Sequence, residues 1–318
     1  MKITVIGPGR WGSFIAWYLD KIGHGVTLYG RAGSNKLLEF IDNRSNGLLT
    51  LGEKVEVTSN LDAVVQSEIV VISINSQGLS RLMEELKSYQ LRNKIFVLCM
   101  KGIEIATGRR LSEIVKANIH ISSKVAVWLG PGHVQEFVKE IPNCMVIDSE
   151  DDTVKDLLIQ SFSSDLIRFY YGRDLVGNEI GAAAKNVIGV AAGMLDGLNL
   201  STLKGALMSR GTREIARLIH AMGGNELSAY GLCHLGDYEA TVFSEFSHNR
   251  RFGELFIKGT SYHDLAEGYY TVKALMDLEE KYKVELPICN SVYEVLYQNK
   301  DAKTTLYELF TRSLKNEF

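Results

Sequence analysis

Cysteine and proline are scarce in this sequence: each occurs only four times in 318 residues. Cys99, Cys144, Cys233 and Cys289 are widely separated, and no two of them form a Cys-x-x-Cys pair. This spacing argues against a disulfide framework and favours a reducing compartment, for which we expect the cytoplasm. The seven histidines form no His-x-His or His-x-x-x-His pair, so we expect no metal site.

Excess charge and long apolar runs are also missing. The net charge is -3 and no basic block occurs, so we expect no nucleic-acid binding. The chain starts with a strand pattern instead of a charged, then apolar, leader, so no export signal is expected. The most apolar long stretch, residues 181–198, contains Lys185, Asp196 and many small side chains, which favours a buried helix and no membrane insertion.

The first thirty residues carry the most informative pattern. Residues 2–6 have the length of a strand, and GPGRWG then places Gly7, Gly9 and Gly12 in the G-x-G-x-x-G spacing. An amphipathic helix pattern and a second apolar run at residues 26–28 follow. In a dinucleotide site these glycines allow a sharp turn, the approach of backbone to pyrophosphate and close helix packing, respectively. The order of strand, turn and helix therefore predicts that phosphates bind at the helix N-terminus.

The end of the second predicted strand bears on the choice of cofactor. NAD sites usually carry an acidic residue there, but this chain has Arg31. A cation suits the additional phosphate of NADP, and Ser34, Asn35 and Lys36 offer further donors. Alternatively, Arg31 stacks on adenine and accepts either cofactor. We expect NADP (NADPH) to be preferred and NAD to remain possible.

The hydrophobic periodicity of the sequence changes at about residue 172. Before that point, strand-length apolar runs alternate with helical segments, which predicts a doubly wound, largely parallel α/β sheet of the Rossmann type. After it, the period is close to 3.6 residues, with long helical stretches at 174–198, 203–222 and 265–282. We expect a dinucleotide-binding domain at residues 1–172 and an all-helical substrate and catalytic domain at residues 173–318.

Two lysines are candidates for chemistry. Lys185 is the only charged residue in residues 181–188, so loss of hydration should lower its pKa toward neutrality. That suits a general base that takes the proton of a secondary alcohol; the alternative is a lysine that extends to the helix surface. Lys101 follows an apolar strand at the edge where open sheets bind ligands. It could polarise a carbonyl oxygen or position Lys185, or be an ordinary loop lysine.

Several longer motifs, spread over nearly the whole chain, resemble the bacterial biosynthetic NAD(P)-dependent glycerol-3-phosphate dehydrogenase family. They are GPGRWG, KGIE at 101–104, LGPG at 129–132, GNEIGAAAKNVIGVAAGMLDGL, SRGTREIARL, HLGD at 234–237, HNRRFG at 248–253 and LPICNSVYEVLY. The resemblance implies a Rossmann domain followed by a helical domain similar to that of 6-phosphogluconate dehydrogenase. It also implies a homodimer, a small phosphorylated substrate, and hydride transfer between sn-glycerol 3-phosphate and dihydroxyacetone phosphate.

The resemblance also implies site residues. For catalysis they are Lys185 as general acid/base, Asp237 as its partner, and Lys101. For the substrate they are Lys101, Gly130, Gly132, Asn186, Thr241, Ser247, His248, Asn249 and Arg250. For the cofactor they are Gly7, Gly9, Arg10, Trp11, Gly12, Arg31, Ser76, Lys101, Val134, His248 and Glu267. Without the family, Asp237 could be a helix N-cap and the HNRR segment an exposed basic turn.

Three positions depart from the family pattern. His248 stands where the family has an arginine that touches the substrate phosphate, Gly132 where it has serine, and Asn75 where it has proline. A histidine has a shorter reach, and its charge depends on pH. These departures leave open a related dehydrogenase acting on another small polyol or hydroxy-acid derivative. A non-catalytic NAD(P)-binding sensor is a further alternative, against which Lys185 and Asp237 argue.

Overall fold

A computed structural model describes residues 1–313 and residue 316 of the protein, which divides into two units. The first unit comprises residues 1–101 and 109–175, and the second comprises residues 102–108 and the described residues from 176 onward. The short segment 102–108 belongs to the second unit because Ile103 is fully buried in that unit's core.

A single mixed sheet forms the centre of the first unit. Its strands are β1 (Lys2–Ile6), β2 (Gly25–Tyr29), β3 (Glu56–Thr58), β4 (Ile69–Ile72), β5 (Ile95–Leu98), β6 (Lys124–Leu129), β7 (Asn143–Asp148) and β8 (Ile167–Tyr171). They lie in the order β3-β2-β1-β4-β5-β6-β7-β8, and only β6 and β7 pair antiparallel. The order reverses next to β1, and at such a point open α/β sheets bind their ligands.

Seven helices connect these strands. They are α1 (Arg10–Lys21), α2 (Asn35–Asn43), α3 (Ala63–Gln66), α4 (Leu79–Lys87), α5 (Leu111–Lys116), α6 (Val134–Val138) and α7 (Asp152–Phe162). All four residues of β4 are buried, as expected for a parallel strand covered on both faces. The core beneath α1 includes Phe14, Tyr18 and the fully buried Trp128.

Six helices form most of the second unit. They are α8 (Leu175–Gly197), α9 (Lys204–Ala221), α10 (His248–Ile257), α11 (Glu267–Tyr282), α12 (Pro287–Tyr297) and α13 (Ala302–Phe310). Helix α8 is buried from Gly177 to Leu195. Its glycines permit close packing: a β-carbon at Gly193 would lie 1.9 Å from the carbonyl oxygen of Arg250, and one at Gly189 would lie 2.6 Å from Thr241 Cγ2.

The predicted doubly wound sheet followed by a helical region is confirmed. Two local features were not predicted from the sequence. The first is β3, which has only three residues and no fully buried side chain. The second is the HNRR segment, which is helical instead of forming a loop: it makes up the first four residues of α10. The Ser247 hydroxyl caps this helix by accepting a hydrogen bond from the Arg250 N–H (3.3 Å). Among the residues described, no helix is both long and apolar enough to cross a membrane.

Candidate active site

The glycine turn after β1 is sterically constrained at two of its three positions. Gly7 has φ of 115°, and a β-carbon there would lie 2.2 Å from the carbonyl oxygen of Ser73. A β-carbon at Gly12 would lie 2.0 Å from the carbonyl oxygen of Gly7. At Gly9 a β-carbon would meet nothing within 4 Å, so the turn leaves open space at the position where α1 begins.

Aromatic side chains pack beside this turn. The rings of Trp11 and Phe14 lie 5.1 Å apart, and Phe137 of α6 stacks on Phe14 at 4.8 Å. Arg10 donates a hydrogen bond to Gln135, also on α6 (2.5 Å). Phe137 explains the missing family serine: a β-carbon at Gly132, where φ is 139°, would lie 2.3 Å from the Phe137 ring.

Lys101 lies just beyond β5 and is half-buried. Its ammonium donates a hydrogen bond to the carbonyl oxygen of Gly130, 2.7 Å away and just beyond β6. Gly130 has φ of 126°, and a β-carbon there would lie 3.0 Å from Met145 Cα. Two residues that the resemblance assigns to the substrate are therefore in direct contact at one edge of the sheet.

The remaining predicted cofactor residues of the first unit lie on three separate segments of the chain. Arg31 follows β2 and lies 3.8 Å from the carboxylate of Glu85, and both side chains are substantially exposed. Ser76 is buried and begins a short 3₁₀ turn, which Asn75 caps by accepting a hydrogen bond from the Gln77 N–H (2.9 Å). Asn75, the third departure from the family, thus has a local structural role. Val134 is buried at the first position of α6.

Lys185 is held by a cluster of polar groups inside the second unit. Its Nζ lies 2.9 Å from Asp237 Oδ2 and donates a hydrogen bond to Thr241 Oγ1 (2.7 Å). The Thr241 hydroxyl in turn donates to the carbonyl oxygen of Asp237 (2.7 Å). All three residues are buried. Asp237 stabilises the ammonium form of the lysine, whereas burial favours the neutral amine, so the two effects on the Lys185 amine oppose each other.

Asn186 and Asn249 join three helices next to this cluster. Asn249 donates a hydrogen bond from Nδ2 to Asn186 Oδ1 (3.0 Å) and accepts one at Oδ1 from the Gly268 N–H (2.8 Å). These bonds link α8, α10 and the first turn of α11, where the predicted cofactor residue Glu267 lies. Both asparagines therefore have fixed orientations.

His248 occupies the first position of α10. Its Nδ1 shares a hydrogen bond with Tyr262 Oη (2.5 Å) and lies 3.8 Å from Asp264 Oδ2. The carboxylate favours the charged imidazolium. The histidine that replaces the family arginine is therefore oriented by its neighbours while 42% of its side chain stays exposed.

Arg250 is engaged in an ion-pair network. Its Nη1 lies 2.7 Å from Asp196 and 3.0 Å from Glu254, and its Nε donates to the carbonyl oxygen of Ser244 (3.0 Å). Asp196 also accepts from Lys204 (2.7 Å). Among residues 1–313 and 316, no acceptor is bound by the Nη2 group of this guanidinium, so Nη2 is the part that could serve a substrate.

Comparison with known proteins identifies the family. The family model described as NAD-dependent glycerol-3-phosphate dehydrogenase N-terminus matches residues 2–155, and the corresponding C-terminus model matches residues 174–307. The chain belongs to this dehydrogenase family. It is 36% identical over 329 aligned residues to glycerol-3-phosphate dehydrogenase [NAD(P)+] of Thermoanaerobacter sp. (strain X514), covering 100% of this chain and 99% of the relative.

Other members of the family give the same result. The enzyme of Fusobacterium nucleatum is also 36% identical, with 100% of this chain and 98% of the relative covered. The crystal structure of glycerol-3-phosphate dehydrogenase from Coxiella burnetii superimposes with a TM-score of 0.91 at 26% identity, covering 98% of this chain and 99% of that one. A D-mandelate dehydrogenase with NADH, at 14% identity and a TM-score of 0.62, shares the fold. The predicted family is therefore confirmed.

The glycine turn of this dehydrogenase family member fits the pyrophosphate of a dinucleotide. Gly9 opens onto free space, α1 has no acidic residue in its first turn, and the first N–H groups of a helix have no acceptor within it. The Trp11 indole N–H is buried and has no hydrogen-bond acceptor among residues 1–313 and 316. A bound ligand with acceptor oxygens would suit this environment.

His234 is a buried polar residue that sequence reasoning missed. Its Nδ1 donates to the carbonyl oxygen of Gly181 (2.8 Å) on α8, and its Nε2 therefore accepts from the Tyr238 hydroxyl (2.7 Å). Burial, with a smaller contribution from the charge of Lys185, lowers the pKa of His234 to about 4. The signal in the sequence was its place in the HLGD motif, which ends at Asp237.

Proposed function

We propose that the protein is an NAD(P)-dependent dehydrogenase that interconverts sn-glycerol 3-phosphate and dihydroxyacetone phosphate. The observation that carries this proposal is the buried cluster of Lys185, Asp237 and Thr241 in a chain of this family. A protein that only sensed the cofactor would have no need of a buried, ion-paired lysine. In this proposal the first unit binds the cofactor, and the second supplies catalytic and substrate-binding residues.

Lys185 acts as the general acid and base. In the reducing direction its ammonium donates a proton to the carbonyl oxygen, which becomes the hydroxyl of the product. In the oxidising direction the neutral amine takes that proton back. Asp237 stabilises the ammonium that results, and the hydrogen bond to Thr241 fixes the position of Nζ. Lys101, whose ammonium points at the Gly130 carbonyl, is proposed as a second cation for the substrate oxygen atoms.

NAD(P)H, when bound, supplies the hydride that adds to the carbonyl carbon. The residues proposed to hold it in the first unit are Gly7, Gly9, Arg10, Trp11, Gly12, Arg31, Ser76, Lys101 and Val134, with His248 and Glu267 from the second unit. We propose a preference for NADPH, which rests on the cation at Arg31. Glu85, 3.8 Å from that guanidinium, opposes the preference by repelling phosphate.

The phosphate of the substrate is proposed to bind at the first turn of α10. Ser247 caps this helix, and His248 adds a positive charge that depends on pH. N–H groups at a helix N-terminus favour anions, so the position suits a phosphate even without the family arginine. Asn249 and the Nη2 group of Arg250 are the remaining candidate donors.

The test is a comparison of turnover on several carbonyl compounds with NADPH and with NADH. Dihydroxyacetone phosphate should give the highest kcat/KM, and unphosphorylated dihydroxyacetone should be poorer by at least about tenfold, because the phosphate contacts are lost. A higher kcat/KM on an unphosphorylated ketone or a 2-oxo acid would overturn the substrate assignment. The replacements at Gly132 and His248 would then define a different specificity.

Assembly and location belong to the same proposal. We propose a homodimer, as the family resemblance implies, and a cytoplasmic location, which the four free thiols favour. Sedimentation of the purified protein, and fractionation of the cells that produce it, test these two points.

A further inference from the structure

A cavity of about 900 Å³, partly open to solvent, lies in the second unit. Its volume falls in the range of about 300–1,000 Å³ that is typical of small-molecule pockets. None of the residues proposed above for catalysis, substrate or cofactor lines it. Helices α8, α9, α12 and α13 each contribute apolar side chains to its wall, represented by Leu195, Leu207, Val292, Leu306 and Leu309.

The polarity of the wall changes along α9. Ala206 and Leu207 line the cavity toward the start of the helix, and Arg210, Glu214 and Arg217 line it toward the end. Spacings of three and four residues place all five on one face of α9. Because a helix rises about 1.5 Å per residue, the face passes from apolar to charged over roughly 16 Å.

The charged end of the cavity carries more cations than anions. Its lining includes Arg210, Arg217, Lys283 and Arg312, against two acids. Of these acids, Glu285 pairs with Arg312 (3.2 Å), and its backbone carbonyl accepts a hydrogen bond from Arg217 (2.8 Å).

The other acid, Glu214, is largely satisfied by backbone. Its carboxylate accepts hydrogen bonds from the N–H groups of Ile288 and Cys289 at the start of α12 (2.9 Å each). Burial raises the pKa of Glu214 to about 7, so near neutral pH its negative charge is partly removed. Within the described part of the chain, neither Arg210 nor Lys283 forms an ion pair, and both residues are exposed, so two solvated cations without a carboxylate partner lie at the open side of the cavity.

We propose that this cavity binds a single-chain amphiphile with an anionic head group. The hydrocarbon chain would lie between α8, α9, α12 and α13, and a carboxylate or phosphate would lie beside Arg210 and Lys283. An apolar ligand without charge would leave these cations unused, and a cationic amphiphile would be repelled by them. The site is separate from the proposed reaction, so its test needs no turnover.

The experiment measures binding of dodecanoate, dodecyl phosphate and dodecyltrimethylammonium to the full-length protein by calorimetry, below their micelle concentrations. We expect saturable binding of one molecule per chain for the anions and at least tenfold weaker binding for the cation. The relative affinities of dodecanoate and dodecyl phosphate distinguish a fatty acid from a phosphorylated lipid as the preferred head group.

Three variants locate the site. Ala206→Trp fills the apolar part from an exposed helix position, and Arg210→Glu reverses the charge at the other end, so each should weaken dodecanoate binding at least tenfold. Arg213→Glu is the matched control, because Arg213 lies on α9 but does not line the cavity. This variant should bind dodecanoate with wild-type affinity. Lys185→Ala should also bind normally, which separates this proposal from the proposed function.

Absence of saturable binding, equal affinity for the anionic and cationic probes, or wild-type affinity in both Ala206→Trp and Arg210→Glu would overturn the proposal. A change in sedimentation of Ala206→Trp without any probe binding would overturn it as well, because the cavity would then be covered by a second copy of the chain. Circular dichroism of each variant confirms that it is folded before binding is interpreted.

Discussion

At the scale of single residues, the account depends most on Lys185. Lys185→Ala removes the proton donor and should lower kcat by about a hundredfold or more, with NADPH affinity unchanged. Lys185→Arg should recover little, because a guanidinium does not release its proton at working pH. Steady-state kinetics together with NADPH titration check both variants. A Lys185→Ala enzyme within a few-fold of the wild type would exclude this role.

His248 makes substrate affinity depend on pH. As pH rises and the imidazolium loses its proton, the neutral ring attracts phosphate less, so KM for dihydroxyacetone phosphate should increase. His248→Arg supplies a permanent charge and should lower that KM and flatten its pH profile. The control is KM for unphosphorylated dihydroxyacetone, which should change little. If the variant loses activity on its best substrate and gains none on dihydroxyacetone phosphate, His248 selects for a different substrate.

Arg31 is the residue that bears on cofactor choice. Arg31→Asp removes the cation and adds a charge that repels the 2′-phosphate of NADP, so the ratio of kcat/KM for NADPH to that for NADH should fall to one or below. The side chain is 57% exposed, so the fold should be unaffected. A wild-type enzyme that strongly prefers NADH would show that this interpretation of Arg31 is wrong.

At the scale of secondary-structure elements, the junction of β1 and α1 gives the sharpest test of the cofactor site. Gly9→Ala should weaken NADPH binding at least tenfold, about 1.4 kcal/mol, while the protein stays folded, because the added methyl group meets no protein atom. Gly205→Ala is a matched control on α9, where a β-carbon also meets nothing within 4 Å. Unchanged NADPH affinity in Gly9→Ala would show that the pyrophosphate does not bind at this turn.

The elements that the sequence predicts well are those with long periodic signals. The β1–turn–α1 unit and the buried helix α8 follow directly from apolar periodicity and glycine spacing. By contrast, β3 is three residues long, and α10 begins in a run of polar side chains whose helical conformation depends on the Ser247 cap. Local composition could not predict either of them.

Contacts between distant parts of the chain were the least predictable features of the site. The role of Phe137 in filling the space of the absent serine at Gly132 depends on how α6 packs on α1. The engagement of Arg250 by Asp196 joins residues 54 positions apart. Sequence motifs identified which residues to consider, but not which of their donors were already in use.

At the scale of the whole molecule, the buried His234 should make stability depend on pH. Its pKa is lowered to about 4 in the folded state, so its contribution is complete above the unfolded value of about 6.5 and is lost as pH falls toward 4. The loss amounts to roughly 3 kcal/mol, since one pKa unit corresponds to about 1.4 kcal/mol. Glu214, with a raised pKa of about 7, has the opposite effect, because its contribution is lost as pH rises from about 4.3 through 7.

A variant separates these two effects. His234→Gln keeps hydrogen-bonding groups but cannot become charged, so its free energy of unfolding at pH 5, relative to its own value at pH 7, should be higher than the corresponding wild-type value. Chemical denaturation at the two pH values measures the difference. If the free energy of unfolding changes equally with pH in both proteins, protonation of His234 does not contribute to acid destabilisation.

The proposed reaction of this chain is hydride transfer between a nicotinamide cofactor and carbon 2 of dihydroxyacetone phosphate. The most direct measurement supplies NADPH carrying deuterium at the transferable position, together with dihydroxyacetone phosphate, and analyses the product by mass spectrometry. The account predicts sn-glycerol 3-phosphate with a single deuterium at carbon 2, formed by the wild type and strongly reduced in Lys185→Ala. Failure of the wild type to form deuterated glycerol 3-phosphate, with the cofactor bound, would contradict it.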